Sequence, residues 1–279
     1  MSPRRPLIVA LVALALALPA GGVRAKDEPI PSAREVIERA FENFYDFDLK
    51  QKVEFVVRQS GSVSLQFRTH MMRKFIGGHA NDLFYIVEGD RRKWKVLRIE
   101  SEARRYEAFV YLPEYGRPRR YPMGQKGDKF LGLELNLEDL EIQRADSYEV
   151  VGRSFTSIEG EPSYVVALQP LYDSGYDRVD FFVARSDYAI LQVRYYRRGA
   201  LEPYKYAHAK REWMERYDDH VLPSRMDFID HDLGTETTVH FIDRSVDPDL
   251  PQSRFSTLSL EKRHHATEFR APEGDGDAP

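Results

Sequence analysis

The feature that most restricts this chain is a period-two hydropathy pattern that starts near residue 53 and recurs almost to residue 244. Val53, Phe55 and Val57 alternate with Glu54 and Arg58; Val63, Leu65, Phe67, Thr69 and Met71 alternate with Ser64, Gln66, Arg68 and His70. Successive side chains of a strand point to opposite faces, so each run builds one apolar and one polar surface. Ser60-Gly61 forms the turn between these two runs. Further strands are predicted over residues 83–87, 94–99, 108–112, 148–158, 163–168, 179–184, 190–196, 204–215, 226–230 and 236–244. Turn signals separate many of them: Glu88-Gly89-Asp90, Glu159-Gly160-Glu161, Arg198-Gly199 and Leu233-Gly234. Strands at this spacing indicate a large antiparallel sheet, a sandwich or a barrel.

A helix precedes the strands. Ser32 and Glu35 have capping-box spacing, and Val36, Ile37, Ala40, Phe41, Phe44 and Tyr45 form one apolar stripe over about 13 residues. Such a stripe must lie on an apolar surface, most simply a sheet face. Residues 113–140 break the pattern with Pro113, Gly116, Pro118, Pro122, Gly124 and Gly127, then a short helical piece at Leu137–Leu140. Loops this long inside compact domains are often functional. Residues 1–25 have the parts of a removable signal peptide: Arg4 and Arg5, a 13-residue apolar run, and small residues ending at Ala25. The run is shorter than the roughly 20 residues that span a bilayer. Residues 26–270 then form a single β domain, and residues 271–279, rich in Pro, Gly and Asp, are expected to be a disordered tail.

The sequence has no Cys, which removes disulfides, thiolate metal sites, thiol catalysis and a lipid-modified cysteine. Its formal charge is −4, and losing Arg4, Arg5 and Arg24 makes it −7, which does not suggest a nucleic-acid partner. No nucleophile elbow, phosphate loop, H-E-x-x-H or dinucleotide fingerprint is present, so neither an enzyme nor a cofactor is expected. Asp218-Asp219-His220 and Asp230-His231-Asp232 read as solvated ends rather than metal ligands, because strand neighbours diverge. One charge feature stands apart. Residues 91–129 hold 12 Lys and Arg against five acids, locally +7, which suits an anionic membrane, a lipid phosphate or an acidic partner. The 16 Tyr and 16 Phe fall mostly at alternating positions, as a packed core or the wall of an apolar cavity requires.

Residues 109–140 carry a resemblance. Phe109-Val110-Tyr111-Leu112-Pro113 leads to Arg117-Pro118-Arg119-Arg120, then to Gly127-Asp128-Lys129-Phe130-Leu131-Gly132 and Asn136-Leu137-Glu138-Asp139-Leu140. This resembles the outer-membrane lipoprotein-sorting protein family, related to the LolA-type lipoprotein carrier. Tyr111, Leu112, Pro113, Arg119, Arg120, Phe130, Gly132, Glu138, Asp139 and Leu140 match its motif; Leu133, Glu134 and Leu137 depart from it. Weaker likeness continues to about residue 262, through Tyr188–Leu191, Tyr195–Gly199, Gly234–Thr237 and Phe255–Leu260.

The resemblance implies a mainly β fold: a strongly curved antiparallel sheet, a half-open β-barrel of LolA/LolB type, with a helical lid. It implies a periplasmic carrier of lipid or lipoprotein acyl chains, with transient membrane contact and an inner-membrane exporter of the resistance-nodulation-division (RND) type as partner. Expected ligand-binding residues are Phe41, Phe44, Tyr45, Phe55, Phe67 and Tyr111; expected partner-binding residues are Arg117, Arg119 and Arg120. The motif residues are expected to act largely as scaffold: Gly132 for its backbone angle, Pro113 to end a strand, Phe130 in the core and Asp139 as a local cap or pair. The competing expectations are an accessory docking subunit that carries no lipid, and an envelope enzyme.

Overall fold

A computed structural model describes residues 30–102, 104–121, 126–262 and 269. The expected signal peptide (1–25) and tail (271–279) lie outside the described residues. Helix α1 (Ala33–Tyr45) begins with the anticipated box: Glu35 N donates to Ser32 Oγ (3.1 Å), and Ser32 N donates to the Glu35 carboxylate (3.2 Å). Five strands follow as a meander: β1 (Leu49–Gln59), β2 (Ser62–Ile76), β3 (His79–Gly89), β4 (Lys95–Glu102) and β5 (Arg105–Tyr111). β6 (Pro118–Tyr121) ends that half. A long segment with the 3₁₀ turn Leu137–Leu140 then leads to β7 (Tyr148–Ile158), β8 (Glu161–Pro170), β9 (Arg178–Ala184), β10 (Ile190–Tyr196) and β11 (Lys205–His208). β12 (Met214–Tyr217) and β13 (His220–Pro223) form a separate hairpin, and β14 (Arg225–Asp230), β15 (Thr235–Val246) and the short helix α2 (Thr257–Glu261) close the chain.

Thirteen strands make one sheet in the order β6-β5-β4-β3-β2-β1-β15-β14-β11-β10-β9-β8-β7, and every pairing is antiparallel. The first strand therefore sits mid-sheet, and two meanders meet where β1 pairs with β15. One face carries the main core: Val53, Phe55, Phe67 and Phe84 from one meander, Val166, Phe181 and Val183 from the other, and the apolar stripe of α1. The opposite face of β2–β5 is covered by Leu250, Phe255, Leu260 and Phe269, packed on Met72, Leu83, Tyr85 and Leu97. Lys95 fastens that cover by donating to the carbonyls of Leu260 (2.6 Å) and Lys262 (2.7 Å).

Two expectations need correction. The predicted strand over residues 204–215 is broken: β11 stops at His208, a 3₁₀ turn occupies Arg211–Trp213, and Met214 starts the hairpin outside the main sheet. Alternation alone does not register that turn. Conversely, Pro118–Tyr121, within a stretch read as loop, pairs with β5 as an edge strand, a place where proline is tolerated.

Candidate functional site

Between α1 and the middle of the sheet lies a cavity of about 120 Å³. Phe44 and Tyr45 line it from the helix, Val53, Phe55, Met226 and Phe241 from the strands, and Leu135 and Leu140 from the long segment. Phe44 and Tyr45 are in contact (ring centroids 4.8 Å apart), and Phe41 packs against Phe181 (5.0 Å). The helix is tied down by polar contacts near both ends. Arg34 donates to the carbonyl of Tyr148 (2.9 Å); Asn43 exchanges two hydrogen bonds with the Val221 backbone (2.7 and 3.1 Å). Burial pushes the Tyr45 phenol up, so it stays neutral.

The floor of this region is a buried polar network built by the 3₁₀ turn. Asp139 accepts from Asn136 N (2.7 Å), Lys205 Nζ (2.6 Å) and Tyr176 Oη (2.8 Å), and Lys205 is only 1% exposed. Glu138 accepts from Ser174 Oγ (2.6 Å) and Gly175 N (2.9 Å). Burial lifts the Glu138 carboxyl to about 7 against the pull of these donors, with help from the neighbouring Asp139 charge. Gly175 has no room for a side chain: a Cβ there would lie 2.7 Å from Glu138 Oε1 and 2.7 Å from the Gly127 Cα. Arg104 and Lys126 neutralise Glu141 (3.0 and 2.8 Å), and Arg144 grips Glu100 with two bonds (2.6 and 2.8 Å). A protonatable carboxyl among tyrosines could in principle move protons. The void beside it is about 20 Å³, room for little more than one water, and the network pins the segment. Among the described residues no group of three or more His, Asp or Glu is arranged to hold a metal ion.

Beyond Phe130 and Leu137, on the same sheet face, lies a larger cleft of about 550 Å³ beside β4, β5 and β6. Val96, Ala108 and Val110 form its apolar base; Arg91, Arg119, Arg120 and Lys129 line it as well. Arg120 pairs with Glu107 (2.7 Å) and Lys129 with Glu134 (2.6 Å). Arg119 stacks on Tyr115 (3.7 Å), and Arg91 donates to the Leu131 carbonyl (2.5 Å). The segment separating cleft from cavity is stitched to β15: Glu134 N donates to Thr237 Oγ1 (2.8 Å) and Thr235 Oγ1 donates to the Glu134 carboxylate (2.5 Å). Gly132 takes a φ of +73°, and the departures Leu133 and Leu137 are buried.

The residues singled out from the sequence therefore divide. Phe44, Tyr45, Phe55, Asp139 and Leu140 line the cavity. Leu112, Arg119, Arg120, Phe130 and Gly132 line the cleft. Phe41 and Phe67 are buried in the main core without lining either. Arg117 and Pro113 are exposed, Pro113 just past the end of β5. Tyr111 packs instead with the cluster on the opposite face, where Lys95 lies 4.6 Å from its ring.

Arg244 was not anticipated. From Val239 and Phe241, alternation places residue 243 on the cavity side. A bulge intervenes: Lys50 pairs with Ser245 and Lys52 with Ile242, so two residues of β15 oppose Gln51. Asp243, at φ +50°, turns to Lys52, while Arg244 Nε donates to Gln51 Oε1 (2.8 Å) and its side chain lines the cavity. The only sequence signal is an Asp-Arg pair at the point where the apolar alternation lapses.

A family model described as an uncharacterized protein matches residues 80–262, more than half of the chain. No curated protein matches the sequence significantly. Solved structures do. A domain assigned as an outer membrane lipoprotein-sorting protein, from Vibrio parahaemolyticus, is 18% identical with a TM-score of 0.73, covering 83% of this chain and 100% of its own. A DUF1329 family protein from Desulfovibrio piger is 19% identical with a TM-score of 0.71, covering 82% and 97%. A LolA superfamily protein from Nitrosomonas europaea is 18% identical with a TM-score of 0.62, covering 81% and 98%. At these identities the likeness establishes a common fold.

Proposed function

We propose a carrier role for this chain, which belongs to the uncharacterized family whose model spans residues 80–262 and has the fold of the LolA superfamily. The cargo is a lipid or lipoprotein acyl chain, the sheet is the wall of a half-open barrel, and α1 is its lid. The observation that carries this reading is the apolar cavity roofed by Phe44 and Tyr45. Burying each methylene of a chain gains about 0.8 kcal/mol. The cavity of about 120 Å³ is smaller than a void that admits benzene, about 150 Å³, so loading displaces the lid aromatics. The role needs no catalytic group and no cofactor, and its setting is the periplasm, reached by cleavage after residue 25.

A fluorescent fatty-acid titration tests it. The purified protein is expected to bind the probe saturably, and Met226→Trp, which fills the cavity, is expected to abolish binding while Met226→Leu preserves it. Absence of binding by the unaltered protein overturns the reading. The exposed guanidiniums of Arg117, Arg119 and Arg120 beside the cleft suit the second half of the role, contact with an RND-type exporter or an anionic membrane. Among the described residues no helix is long and apolar enough to cross a membrane.

A further inference from the structure

Three arginines bear on the question of what end of a ligand this protein holds. Arg73 and Arg244 both line the cavity under α1. Arg73 pairs with Asp82 (2.7 Å), a carboxylate it shares with Arg98 (3.3 Å). Arg244 has no carboxylate within salt-bridge distance among the described residues, and its Nη1 is sealed from solvent with no hydrogen-bond partner there. Its guanidinium lies 4.7 Å from the Phe241 ring and 5.3 Å from the Tyr217 ring; Glu215, an acid that acts on it from beyond salt-bridge distance, is engaged by the Tyr217 hydroxyl. As a whole residue Arg244 is half-buried, with Nη1 facing protein rather than water. Burial draws its pKa down to about 10, which leaves it charged at neutral pH.

A desolvated cation without a counter-charge is unfavourable and persists in a fold only where something offsets it. A bulge that rotates this one residue inward, and sends the adjacent acid outward to Lys52, looks like placement for a ligand, since bulges re-aim side chains beside binding sites. We propose that Arg244 is the head-group anchor of the cavity, and that the ligand is an acyl chain ending in an anion, a carboxylate or a phosphate, held by the free guanidinium edge. The fork of Arg matches both anions with paired hydrogen bonds. The proposal rests on the carrier reading for the chain, and on Arg244 alone for the charge.

The test measures binding of oleate, oleyl phosphate, oleyl alcohol and inorganic phosphate to the purified protein and to Arg244→Met and Arg244→Lys. The unaltered protein is expected to bind an anionic chain at least about tenfold more tightly than the alcohol. Arg244→Met is expected to erase that preference yet keep the alcohol, and to melt at a higher temperature when empty. Arg244→Lys keeps part of the preference, which separates charge from folding damage. Equal affinity for anionic and neutral chains, or a preference that survives Arg244→Met, overturns the anchor while leaving the carrier intact. If no chain binds but phosphate binds and is lost in Arg244→Met, the carrier reading falls and Arg244 stands as a small-anion site. If neither chains nor phosphate bind, both fall.

Discussion

The cavity under α1 and the cleft beside β6 share one sheet face, separated by the Phe130–Leu137 stretch, yet Arg244 in the first and the rim cations of the second are held in opposite ways. In the cleft, Arg119, Arg120 and Lys129 are exposed, and two of the three already pair with acids. In the cavity Arg244 has no acid within salt-bridge distance among the described residues, and its Nη1 is shut away from water. Exposed charges are screened by salt and contribute little individually; a desolvated charge is neither screened nor cheap. Counting charges along residues 91–129 finds the surface that attracts, whereas the group able to discriminate between ligands is the one the surroundings leave without a counter-ion. Binding at the cleft should therefore weaken steeply as salt rises, and binding in the cavity should barely change.

Both sites depend on the segment between them staying in place, so the largest effect is expected from unpinning it. Lys205→Met strands Asp139 in the interior and should lower unfolding stability by about 3–5 kcal/mol. Adding Asp139→Asn should restore much of that, and urea denaturation of both variants checks it. A Lys205→Met midpoint equal to that of the unaltered protein would mean the pair does not hold the segment.

The next effect is in pH. Glu138 has its carboxyl raised from 4.5 to about 7 in the fold, so between these values the folded state holds a proton that the unfolded chain releases. Stability from this group is complete below about pH 4.5 and is lost as pH rises through 7, by up to about 3 kcal/mol. His70, pulled down to about 4 by burial, slopes the other way between about pH 4 and 6.5. The readout is therefore the difference between the unaltered protein and Glu138→Gln, whose stability should lack the Glu138 slope. Identical profiles would sink the assignment.

Smaller again is Phe44→Ala. Phe44 is half-buried, so its loss should cost about 1–3 kcal/mol, short of a fully buried phenylalanine, and should admit more of an apolar dye to the cavity. Smallest for stability is the pair Arg119→Glu and Arg120→Glu, expected to stay within about 0.5 kcal/mol while abolishing low-salt binding to anionic vesicles. Retained vesicle binding would remove the cleft rim from the function.

Much of the fold was legible because alternation and turn chemistry are local. Ser60-Gly61 and the Ser32 cap lie where their residue types place them. The cavity wall was partly legible for the same reason: Phe44, Tyr45 and Phe55 sit on runs with clear periods. What was hidden depends on pairing between distant residues. β6 is two arginines between a proline and a tyrosine, and only β5 makes it a strand. The face of Arg244 is reversed by a bulge that exists only against Gln51. Lys205 is legible on local terms. It shares a face with Ala207 and Ala209, small buried residues, and a lysine in that register demands a buried acid, which Asp139 supplies from 66 positions away.

The mid-sheet position of the first strand sets the order in which this molecule can assemble. β1 can pair with β2 as soon as both exist, but its other edge waits for β15; Lys52 and Asp243, joined across that seam, are 191 residues apart. Each meander is rich in hairpin contacts and can form early, whereas the seam requires almost the whole chain and the closure of a very long loop. Until then β1 presents an unpaired edge with Val53, Phe55 and Val57 uncovered, the kind of template that recruits other chains. Folding should thus be slow in its last step, and a chain truncated before β15 should aggregate rather than yield a smaller soluble sheet.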